Sequence, residues 1–145
     1  MISLQARRVV ILLTGLVLVA CSERPATPAP DPQAILQKIP PADPAKYEHI
    51  QDMKAWRNPY LIVRTDDVVL YDSADNAEIQ LKPAELLAAL VKLPASNWPY
   101  GRVVAAAENG ARASEQDGIT IRRNKGIVGG VLGSAHIVVK WVSGA

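Results

Sequence analysis

Eleven prolines punctuate the 145 residues of this chain, and their distribution limits the fold more than any other feature. Seven of them, Pro25, Pro28, Pro30, Pro32, Pro40, Pro41 and Pro44, fall between Cys21 and Lys46. Proline fixes φ and removes a backbone donor, so this stretch is barred from a sheet interior and favours extended conformations. The chain therefore divides into a leader (1–20), a proline-rich tether (21–42) and one body of folding size (43–145). Twenty-one residues, 22–42, could reach on the order of 60 Å at about 3.1 Å per residue. A turn of helix around Ala34-Ile35-Leu36 would shorten that reach.

The leader has the order of a secretory signal. Arg7 and Arg8 form a positive start, and Val9 to Val19 an apolar core of eleven residues. That core is far short of the roughly 20 residues a spanning helix needs. It ends in Leu18-Val19-Ala20-Cys21, and Cys21 is the only cysteine. This run resembles the lipobox of bacterial lipoproteins. The resemblance implies cleavage before Cys21, a diacylglycerol on its sulfur, and a further acyl chain such as palmitate on the new N-terminus. Two or more chains anchor stably where one binds only marginally. Ser22 resembles the outer-membrane sorting class, which in a Gram-negative host implies an outer-membrane anchor facing the periplasm.

Cleavage also changes the charge argument. The precursor carries 16 basic and 14 acidic residues. Without Arg7 and Arg8 the remainder is balanced at 14 of each, which gives no electrostatic case for a nucleic-acid partner. With Cys21 taken by lipid, no thiol is left for a disulfide, a redox pair or a thiolate metal site.

Within the body, Asp43 and Pro44 open a helix whose apolar positions Tyr47, Ile50 and Met53 continue to Arg57, and Asn58-Pro59 stops it. Tyr60 to Thr65 and Val68 to Tyr71 read as a hairpin around Asp66-Asp67. Pro83 starts a second helix over Lys82–Leu93, with Leu86, Leu87, Leu90 and Val91 as its stripe, and Pro94 ends it. Gly101 to Ala107 is a strand apolar enough to be buried on both faces, closed by Asn109-Gly110. Ser114 to Gly133 supports two readings. Ser114 with Asp117 resembles a capping box, and Ile119, Arg123, Ile127, Val128, Val131 and Leu132 follow helical spacing. Against a helix stand Gly118, Gly126, Gly129 and Gly130, each costing about 1 kcal/mol relative to alanine. The alternative is a hairpin around Asn124-Lys125-Gly126, and the helix is preferred. His136 to Val142 alternates as a final strand.

These elements predict an α+β fold: a small two-layer sandwich with about four strands. Right-handed crossovers put its helices on one sheet face, and a helix precedes the sheet. From the first strand onward the order is similar to that of the periplasmic domain of the ExbD/TolR biopolymer-transport family. The similarity covers residues 60 to 142 and implies topology alone. The chain lacks that family's membrane-spanning helix with an ionisable residue, and Tyr100-Gly101 precedes a strand where a similar pair there opens a helix.

Chemistry-bearing motifs are scarce. His49 and His136 are the only histidines and have no zinc-ligand spacing, so no metal or cofactor is expected. Asp72, Asp75, Asn76 and Glu78 crowd one segment, but Ala74 and Ala77 stand where a calcium loop needs other residues, and turn residues account for the cluster. Ser134 has no nucleophile elbow around it. Gly126, Gly129, Gly130 and Gly133 have zipper spacing, yet the apolar run is too short to span a membrane, and close packing of a helix on the sheet accounts for them. Trp98, Tyr100 and Arg102 combine the residue types that dominate binding hot spots, which makes their loop the candidate partner-binding element; for Trp98 itself, capping the end of the core is the preferred account.

The expectation is thus a lipid-anchored envelope protein that is not an enzyme and binds an envelope protein through a sheet edge or the Trp98–Arg102 loop. One alternative is a small periplasmic hydrolase whose Glu108, Asp117 and His136 converge only in three dimensions. The other is a glycine-zipper protein associated with membranes.

Overall fold

The computed structural model describes residues 27–109 and 113–144. The leader and Cys21 lie outside the described residues. Five strands form one sheet in the order β3-β2-β1-β4-β5. Their spans are Tyr60–Val63 (β1), Val68–Asp72 (β2), Ala77–Leu81 (β3), Val103–Glu108 (β4) and Val138–Trp141 (β5). β1, β2 and β3 form an antiparallel meander, and β4 joins β1 and β5 in parallel. The expected α+β class stands; the sheet has a fifth strand.

That strand, β3, falls in the segment read as turn residues. Only Ser73–Asn76 turns there, with Asn76 in the left-handed region at φ 53° and its side-chain oxygen accepting from the Tyr71 hydroxyl. Beyond it, Ala77, Ile79 and Leu81 alternate with Glu78 and Gln80, a period of two that suits a half-buried strand.

The register settles which side chains share a face. Leu61 lies opposite Leu70 and Ala106, and Val63 opposite Val68, so these point one way. On that face they meet Leu86 and Leu90 of a short helix (α3, Leu86–Leu90) and Ile121, Val128 and Leu132 of a long one (α4, Glu115–Ser134). Both crossover helices therefore cover the same face. α4 is the helix preferred over the hairpin. Ser114 caps it: the Asp117 amide donates to the Ser114 hydroxyl at 3.1 Å, and that hydroxyl donates to the Asp117 carboxylate at 2.7 Å.

The glycines of α4 do not pack on the sheet, contrary to expectation. Beyond the neighbouring backbone of the helix itself, a Cβ added at Gly126, Gly129, Gly130 or Gly133 would meet nothing within 4 Å. The buried stripe is Ile121, Asn124, Val128 and Leu132, and it offsets the helix-propensity cost of the glycines.

The proline-rich stretch is also partly structured. Pro32–Leu36 forms a helix (α1) capped by Asp31, and Leu36 and Ile39 are 0 % and 6 % exposed in the main core. The packed body thus begins near Asp31 rather than Asp43. From Ile39 the chain passes round the sheet: the Arg102 amide donates to the Pro40 carbonyl at 2.9 Å, and the Asp43 amide to the Tyr100 carbonyl at 3.0 Å. Gly101 makes the passage fit. It sits at φ +79°, and a Cβ there would collide with the Pro41 carbonyl oxygen.

On the opposite sheet face the expected opening helix is only Pro44–Tyr47 (α2), followed by a 3-10 turn at Met53–Ala55. Lys140 of β5 explains the break. Its ammonium donates to the carbonyls of Tyr47 at 3.0 Å and Ile50 at 2.7 Å, groups that a longer helix would have bonded internally. Tyr47 and Trp56 then pack on Val103 and Ala105 as a second, smaller core. Residues 31–56 are therefore a strap joining the two faces.

Candidate interaction site

The loop expected to bind a partner is built into the body. Trp98 is 3 % exposed and belongs to the main core on the helical face. Tyr100 packs on the opposite face, its ring 5.2 Å from that of Trp56 and its hydroxyl donating to the Ala55 carbonyl at 3.3 Å. Arg102 is half-buried, its amide and carbonyl taken by Pro40 and Val138. The structure places Trp98 and Tyr100 in different cores, with Arg102 following them in the chain, and does not assemble the three into one surface. For Trp98 this is the core packing preferred from the sequence, and Tyr100 is taken up in packing as well.

Asn58, read from sequence only as a helix stop, is the polar tie between strap and sheet. It is fully buried; its amide donates to the carbonyls of Gly101 at 2.8 Å and Val103 at 2.7 Å, and its oxygen accepts from the Tyr100 amide at 3.0 Å. Asn124 ties α4 to the β1–β2 turn through the carbonyls of Arg64 and Thr65. Asp72 is 5 % exposed and accepts from the Asn97 side chain at 2.8 Å and the Ala74 amide at 2.9 Å. Such buried groups are tolerated because each is satisfied.

The groups of a would-be hydrolase do not converge. The Glu108 carboxylate is 2.5 Å from the Lys125 ammonium, and the Asp117 carboxylate is engaged by Ser114. His136 lies beyond the far end of α4, roughly 26 Å from Asp117 at 1.5 Å per helical residue. His49 is exposed on the strap. Among the described residues no group of three potential ligands could hold a metal ion.

Three of the concavities among the described residues bear on a binding role. One of about 390 Å³ lies where β4 and β5 end, lined by Glu108, Arg122, Lys125 and Trp141 among others. Lys125 closes it chemically, paired to Glu108 and set 4.4 Å above the Trp141 ring. A trough of about 320 Å³ between Met53, Trp56, Tyr60, Ile62 and Tyr71 lies where the strap leaves the back of the sheet uncovered. Burial pushes the Tyr60 phenol above its ordinary value, so it stays neutral there.

The largest, about 710 Å³, runs between β3 and α3. Its walls are Ile79 and Leu81 on the strand and Ala88, Ala89 and Leu93 at the helix, with Asp75, Glu85 and Lys92 among its polar lining residues. Ile79 is 40 % exposed. β3 is the last strand of the sheet, so among the described residues its outer backbone groups have no strand partner. An edge strand beside a helix with an apolar floor is the geometry that accepts an extended segment as an added strand. The alternation at Ala77–Leu81 was the sequence signal for this site, and the nearby acidic residues obscured it.

Among the described residues no helix is long and apolar enough to cross a membrane. The sequence matches no protein family, and neither a curated protein nor a solved structure matches it.

Proposed function

We propose that this chain is a lipid-anchored protein of the bacterial cell envelope, held in the outer membrane on its periplasmic side, and that its body binds another envelope protein. The run Leu18-Val19-Ala20-Cys21 supports the anchor. The observation that carries the binding role is the open groove between β3 and α3 at a free sheet edge. Nothing comparable favours catalysis, because the acidic and imidazole groups are paired or far apart. The resemblance to the ExbD/TolR periplasmic domain enters this proposal as topology only, and β3 is an addition to that pattern.

Site-specific photocrosslinking in cells tests the binding role. A crosslinker replacing Ile79 or Ala88, both exposed in the groove, is expected to yield one discrete protein adduct. The same group at Glu48 on the strap is expected to yield none. Equal or absent adducts at all three positions would contradict the groove as the binding element.

A further inference from the structure

α4 presents a second surface that the body leaves uncovered. At 100° per residue, Ile119, Arg122, Arg123, Gly126, Ile127, Gly130 and Gly133 fall within an arc of about 140°, opposite the buried stripe. All seven are exposed, Ile119 at 47 % and Ile127 at 45 %. Gly126, Gly130 and Gly133 have no neighbour that a Cβ would touch, so this side of the helix is a low ridge open to its surroundings. Between Gly118 and Ser134 the sequence has Arg122, Arg123 and Lys125 and no carboxylate. Lys125 is paired with Glu108, whereas the described residues hold no ion pair for Arg122 or Arg123. The ridge therefore combines unneutralised guanidinium groups with two half-exposed isoleucines.

The chain's own path places this ridge close to the anchor. The Gln33 side chain donates to the Ser134 carbonyl at 3.4 Å, so the start of the packed body rests against the C-terminal end of α4. Only residues 22–30 separate Cys21 from Asp31, ten steps of chain that even fully extended reach about 36 Å. α4 itself is about 30 Å long. A body on so short a leash meets the bilayer at high effective concentration, and weak contacts suffice to orient it.

We infer that the outer face of α4 docks on the bilayer, with Arg122 and Arg123 at anionic lipid headgroups and Ile119 and Ile127 at the interface. The inference rests on the proposed anchoring at Cys21. Arginines beside an anionic leaflet are drawn to it, and apolar side chains of an interfacial helix enter the headgroup boundary. Docked in this way, the protein keeps the back of its sheet turned away from the membrane.

The test couples the isotope-labelled mature chain through its single thiol, Cys21, to a maleimide lipid in phosphatidylglycerol nanodiscs carrying a nitroxide lipid. The docking is thus read whether or not cells acylate Cys21, and the mass of native material settles that point separately. The amide signals of Ile119, Arg123, Ile127 and Gly130 are expected to weaken severalfold more than those of Lys54 and Glu78. The exposed pairs Arg122→Gln with Arg123→Gln, and Ile119→Gln with Ile127→Gln, are each expected to reduce that contrast. Uniform weakening, or the greatest loss at Lys54 and Glu78, would overturn the inference. So would α4 signals that change with protein concentration in the absence of lipid, which would assign the ridge to a second copy of the chain.

Discussion

Asn58 uses both carbonyl-facing protons and its oxygen inside the body, and no water reaches it. Replacing it with alanine strands the Tyr100 amide and removes a donor shared by two carbonyls. At about 1–3 kcal/mol for each buried group left unsatisfied, Asn58→Ala is expected to cost about 3 kcal/mol. Urea unfolding checks this: the midpoint should fall with little change in slope, and an unchanged midpoint would contradict the assigned role. Neighbouring Gly101 shows the same closeness from the backbone side, since only a residue without Cβ passes under Pro41. Neither role was legible in the sequence. Asn-Pro reads as a stop wherever it occurs, and the partners of Asn58 lie more than forty residues away. The Trp98 ambiguity has the same origin: an aromatic next to proline looks like a binding loop until the core around it is assembled.

At the scale of elements, short-range signals were reliable and long-range ones were not. The hairpin of β1 and β2, α3, β4, α4 and β5 were read from alternation, helical stripes and caps, all properties of contiguous residues. The strap was missed because only Leu36 and Ile39 anchor its first part, amid prolines that by themselves describe a spacer. The long opening helix was overestimated because Tyr47, Ile50 and Met53 repeat at helical spacing while serving an irregular segment held by Lys140. A chain beginning at Asp43 loses both anchors, and burial of each is worth about 1.5–3 kcal/mol. Its thermal midpoint is expected to fall well below that of a chain beginning at Thr27, because the loss is a large share of ordinary domain stability. Equal midpoints in calorimetry would contradict a structural strap. The groove between β3 and α3 was half-legible: the strand facing it has a clear period of two, but the α3 wall is contributed from across a turn.

For the molecule as a whole, shortening the spacer changes the physical picture of anchoring. A body starting at Asp43 would swing on a long tether, whereas one starting at Asp31 keeps that residue within about 36 Å of Cys21. In the proposed anchoring, the same strap that completes both cores would set how close the sheet lies to the membrane, and the groove between β3 and α3 lies at the far edge of the sheet from β5. Residues 31–56 thus carry stability and, in the proposed anchoring, orientation, while the proposed binding groove is built from residues 72–94. The central claim, that this body works at a membrane surface, depends on Cys21. Intact-mass analysis of protein extracted from native membranes tests it most directly. The account predicts a chain that begins at Cys21 and carries the added mass of a diacylglycerol and a further acyl group. An unmodified Cys21, or a leader still attached, would contradict it.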